Sequence, residues 1–116
     1  MRERLQQLEG QRVRVQGTFV RYGVRPKFQP LERTLVLNGI RDAETDLVLS
    51  DHLWFRFTKA FEQLGELEQG MRLELEGTVT QYQREPYRGT RRVTRVPESL
   101  LDYRISRPGN IVIVRR

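Results

Sequence analysis

The chain has no cysteine in its 116 residues, so neither a disulfide nor thiolate chemistry is open to it. A single histidine leaves zinc without its favoured ligands and nucleophilic catalysis with one candidate base. That residue, His52, directly follows Ser50 and Asp51. Neighbours on a strand point to opposite faces, so the triplet is no triad, and no catalytic residue is assigned. Asp42, Glu44 and Asp46 alternate as calcium ligands do, but the glycine and closing glutamate of an EF-hand loop are missing, and a solvated acidic turn is expected. No glycine-rich phosphate loop leads into a helix. The reading is of a protein that is not an enzyme and needs no metal or cofactor. Apolar runs are also too short to span a bilayer, and nothing near Met1 reads as a secretory signal, so a soluble, cytoplasmic protein without membrane contact is expected.

What is present is charge, unevenly placed. The net charge is +6 with a pI near 10.5, yet residues 1–33 sum to +5, residues 34–81 to −5 and residues 82–116 to +6. If the two basic ends meet in the fold, they present one positive face to a polyanion. The plainer alternative is a soluble surface that happens to use arginine. The length suits one domain over residues 1–116, large enough for a core of its own.

One pattern occurs twice, sixty residues apart: Gly10, Arg12, Val13, Val15, Gly17, Thr18, Phe19 and Tyr22 recur as Gly70, Arg72, Leu73, Leu75, Gly77, Thr78, Val79 and Tyr82. Each copy alternates apolar and polar residues with period two and sets a glycine in mid-strand, where the chain must bend or bulge. Two copies are too few for a solenoid. Both strands are expected to meet one geometrical demand as neighbours in a curved sheet, with Val13, Val15, Phe19, Leu73, Leu75 and Val79 buried together.

The first strand is read over Gln11 to Tyr22, after a turn or two of helix at Arg2 to Leu8 that Gly10 would stop. A second strand covers Arg33 to Ile40 and a third Leu47 to Phe57, with Leu53, Phe55 and Phe57 on one face and His52, Trp54 and Arg56 on the other. Phe57, Ala60, Phe61 and Leu64 follow helical spacing, and Gly65 closes a short helix. The fourth strand is Met71 to Tyr82. A fifth is harder to place: Ile105, the run Ile111 to Val114 beyond the Pro108-Gly109 turn signal, or both in sequence.

This order, with its paired G-x-R-V-R-V-x-G-T-F and G-x-R-L-x-L-x-G-T-V segments, resembles the OB-fold nucleic-acid-binding superfamily over about Gln11 to Val114. The resemblance implies an all-β fold with one short helix, a five-stranded OB-fold barrel whose helix lies between strands 3 and 4. Separately, Asp51-His52-Leu53-Trp54-Phe55, Lys59, Phe61, Asp102-Tyr103 and Ser106-Arg107-Pro108 are similar to a family of small uncharacterised proteins from bacteria, phages and mobile elements. That similarity carries no activity with it. The superfamily resemblance implies a binding surface on strands 2 and 3, flanked by the loops after strands 1 and 4.

Those loops are the basic segments found by counting charge. Arg21, Arg25 and Lys27 belong to the first, and Arg84, Arg88, Arg91 and Arg92 to the second, all suited to phosphate. Phe28 and Tyr87 in the same loops, and Trp54 beside Arg56 on the third strand, are candidates for stacking on unpaired bases. Each ring also has a structural reading: Phe28 as a cap on the sheet edge, Tyr87 as a loop anchor, Trp54 as half-buried packing. Tyr22 and Tyr82 are read as structural rim residues. The expected partner is single-stranded DNA or RNA; the alternative is a protein-interaction or scaffolding module whose basic loops meet an acidic protein.

Overall fold

The structure, a computed structural model, describes residues 3–25, 32–83 and 101–115. Period-two alternation resolves into five strands, β1 (Arg12–Arg25), β2 (Glu32–Asp42), β3 (Val48–Arg56), β4 (Arg72–Gln83) and β5 (Leu101–Arg115). Among the described residues two helices of a single turn each accompany them, α1 (Glu3–Gln7) before β1 and α2 (Lys59–Glu62) between β3 and β4. All pairings are antiparallel and the sheet order is β3-β2-β1-β4-β5.

The two copies of the repeat are the central pair of this sheet. Val15 lies opposite Leu75, Val13 opposite Gly77 and Gly17 opposite Leu73, so the copies cross as a local two-fold through Val15 and Leu75 would have them. Each repeat glycine is skipped in the ladder on its outer side: Gly17 against β2 and Gly77 against β5. The cause is crowding. A Cβ on Gly17 would stand 2.8 Å from Ile40 Cδ1, and one on Gly77 would stand 2.1 Å from Ile105 Cγ2. The missing side chains let the flanking strands press inward and bend the sheet.

The inner face forms a single core cluster. Val15, Phe19, Leu73, Leu75 and Val79 are buried in it, and Val13 packs against it half-buried. β2 adds Leu35, Leu37 and Ile40, β3 adds Leu49, Leu53 and Phe55, and β5 adds Tyr103 and Ile105. Laid flat, five strands would hold the outermost two about 19 Å apart. Here β3 and β5 approach each other across the core, so the sheet is strongly curled. They do not pair, however, and the described sheet is open along this seam rather than a closed barrel. β5 is itself irregular: Pro108 offers no N–H, and Arg107 and Asn110 around it take left-handed φ values of 53° and 48°. The Pro108-Gly109 signal thus marks irregularities inside one long strand, not a turn between two short ones.

The helices close the ends of the curl. Leu5 of α1 is fully buried, and Arg4 donates to the Val48 carbonyl at 2.8 Å. Gly10, at φ 83°, ends that segment. In α2, Phe61 is fully buried and meets Phe55 edge-on at 5.9 Å. The Phe61 and Glu62 amides donate to the Thr58 carbonyl, and Gly65 at φ 80° stops the turn so soon that the expected helix is one turn long.

Candidate nucleic-acid interface

Because Leu53 and Phe55 are drawn into the core, alternation turns His52, Trp54 and Arg56 outward on β3. Trp54 stands opposite Val36 of β2, which in turn stands opposite Arg21 of β1; Arg56, Thr34 and Gly23 form the next row. Val36 and Thr34 are buried although they lie on the outer face. The indole explains this, since it reaches across β2 as far as β1: a Cβ on Gly23 would be 2.9 Å from its Cζ3 atom. Trp54 as a whole residue is still 42% exposed. The Arg21 guanidinium stacks on it, 5.0 Å from the ring centre. Arg56, by contrast, is ion-paired to Glu32.

A groove of about 1110 Å³ opens beside this row, between the outer rims of β3 and β5. Its floor shows Leu53, Phe55 and Ile105 through the seam, and Trp54 and Arg56 line one wall. On the other wall Arg104 lies 5.4 Å over the ring of Tyr82, whose hydroxyl donates to Asp102 at 3.5 Å. Tyr82, expected to be a structural rim residue, is thus part of the groove. Sequence reasoning passed over Arg104 because the fifth strand was not placed; its alternation with Tyr103 and Ile105 was the available signal. Tyr22 does serve the rim, accepting the Leu67 amide at 2.9 Å and meeting Phe19 and Phe57 edge-on.

The residues from which both basic segments depart line this one groove: Val24 and Glu32 flank the first, Gln83 and Leu101 the second. Arg25 is the last residue of β1, opposite Glu32. Lys27, Phe28, Arg84, Tyr87, Arg88, Arg91 and Arg92 lie outside the described residues.

Main-chain groups also face the seam. The Phe57 amide donates to Arg33 of β2, so alternation turns the amides and carbonyls of His52, Trp54 and Arg56 away from β2. Likewise Val79 bonds toward β1, which leaves Tyr103 and Ile105 of β5 facing outward. Two of these groups are met locally. Asp102 accepts the Tyr103 amide at 2.8 Å, and the Ser50 hydroxyl donates to the His52 carbonyl at 2.8 Å.

Elsewhere the charges are spent on one another. On the outer face of β1 and β4, Arg14 pairs with Glu74 and, at 3.2 Å, with Glu76, while Gln16 donates to Glu74 at 2.7 Å. The Gln16 amide, then Arg14, hold the Glu74 carboxyl below its usual range. In the acidic turn, Asp42 accepts the Thr45 and Glu44 amides, which lower its pKa. No group of three or more residues suited to hold a metal ion occurs among the described residues. Nor is any described helix long and apolar enough to cross a membrane.

Comparison with known proteins finds no matching family model, curated protein or solved structure.

Proposed function

We propose that this chain is a nucleic-acid-binding module of OB-fold type, with a preference for single strands. The observation that carries the reading is the convergence of the ends of both basic segments, together with the exposed Trp54, on one groove. The strand order β3-β2-β1-β4-β5, with a helix between β3 and β4, supports the OB-fold part. Arg21, Arg25, Lys27, Arg84, Arg88, Arg91 and Arg92 neutralise phosphates, and Trp54, with Phe28 and Tyr87, stacks on bases. Arg56, tied to Glu32, positions that wall more than it binds. Single strands are favoured because a duplex keeps its base faces covered.

Fluorescence anisotropy with labelled single- and double-stranded oligonucleotides, repeated at rising salt, tests the reading. Tighter binding of single strands, weakening steeply with salt and varying little with sequence, is the expected result. The main-chain groups along the seam favour a second reading, in which an acidic protein segment adds as a strand. A stoichiometric protein complex and no oligonucleotide binding would establish that one instead.

A further inference from the structure

The two walls of the groove repeat one chemical device on different strands. Trp54 of β3 carries Arg21 of β1 at 5.0 Å, and Tyr82 of β4 carries Arg104 of β5 at 5.4 Å. We propose that these are two base-stacking subsites, so that the groove takes two unpaired bases of one strand, one on each wall. The proposal rests on the nucleic-acid reading and adds the β4–β5 wall to it.

Three observations support the second subsite. Tyr82 and Arg104 both line the groove that Trp54 lines, so a ligand on one wall has the other within the same volume. At about 1110 Å³ that volume exceeds the roughly 300–1,000 Å³ that suits a drug-sized molecule, leaving room for more than one planar group. The Tyr82 hydroxyl donates to Asp102 at 3.5 Å, which places the tip of the ring beside β5. Each guanidinium holds a place on a ring that a base can take, and then moves to the adjoining phosphate, where it makes a stronger, charge-assisted bond. The neutral pyrimidine or purine face is the partner that both rings accept without regard to sequence.

The test uses the full chain and fluorescein-labelled oligothymidylate of ten nucleotides, with thermal melts to confirm folding of every variant. Trp54→Leu and Tyr82→Leu should each weaken binding about tenfold, the order contributed by one stacked base. Tyr82→Phe, which keeps the ring, should restore what Tyr82→Leu loses. Arg104→Gln, an exposed change, should lower the salt slope by about one unit even if Tyr82→Leu fails to fold. If Trp54→Leu weakens binding while Tyr82→Leu and Arg104→Gln bind as the parent does, the second subsite is wrong and the single-wall reading stands. Equal loss in Tyr82→Phe and Tyr82→Leu also overturns it, since the hydroxyl and not the ring would then matter. Absence of oligonucleotide binding by the parent chain overturns both readings.

Discussion

Arg12 and Arg14, on the face shared by β1 and β4, meet the carboxylates of Glu74 and Glu76, whereas Arg21 and Arg104 rest on the aromatic rings of Trp54 and Tyr82, which line the groove. All four come from strands of the same alternating pattern. The first pair is held by full opposite charge and the second by a ring quadrupole, which at exposed sites is worth only about 0.5–1 kcal/mol. An incoming phosphate therefore has little to displace at the groove and much to displace on the β1–β4 face. Net charge counts both sets alike; only the partner each arginine keeps in the fold separates them.

The comparison depends on one core beneath both faces, and breaking that core gives the largest effect. Leu75, fully buried opposite Val15, should cost about 2–5 kcal/mol when changed to alanine, read from chemical denaturation. A loss under about 0.5 kcal/mol, the level of an ordinary surface change, would contradict its place in the core. Next comes the ring. Trp54→Ala should weaken single-strand binding by about 1–3 kcal/mol in an anisotropy titration while the domain stays folded, and oligonucleotide should quench the indole emission of the parent. A variant that unfolds with no change in ligand response would make the indole packing alone.

The arginines sharpen the contrast more finely. Arg21→Ala should lower the salt slope of binding by about one unit, whereas Arg14→Ala should leave it unchanged and reduce stability instead. Equal slopes in the two variants would erase the distinction. The smallest effect is on pH dependence. Glu74 is held below its ordinary pKa, so its contribution is complete above the usual carboxylate range and disappears as the pH falls through the folded-state value. The melting advantage of the parent over Glu74→Gln should therefore shrink as the pH falls below the usual carboxylate range, and a constant advantage would mean that the carboxylate charge is not what Gln16 and Arg14 hold.

Much of the architecture was legible because β4 alternates along its length, β1 repeats its pattern, β3 alternates from His52 to Arg56, and Gly10 and Gly65 sit where backbone signs change. The outward turn of Trp54 followed from the apolarity of Leu53, Phe55 and Phe57. Alternation is a local signal, though, and says nothing of what crosses between strands. It could not tell that Trp54 reaches over Val36 to Gly23, that Glu32 takes up Arg56, or that β3 and β5 stop short of pairing. The fifth strand was obscure for a related reason: Pro108 and two left-handed residues break its period, and Arg104 was lost with it.

The pairing of β1 with β4 also says something about how the molecule assembles. β1, β2 and β3 form one meander and β4 with β5 another, each built from neighbours in sequence; among the described residues only the β1–β4 ladder joins them, through residues sixty apart such as Val15 and Leu75. Closing so long a loop carries the larger entropic cost, so docking of the two meanders should limit the folding rate. The walls of the groove belong to different meanders, Trp54 to the first and Tyr82 to the second. No fragment holding one meander contains the whole site, and the groove comes into being at the step that completes the fold.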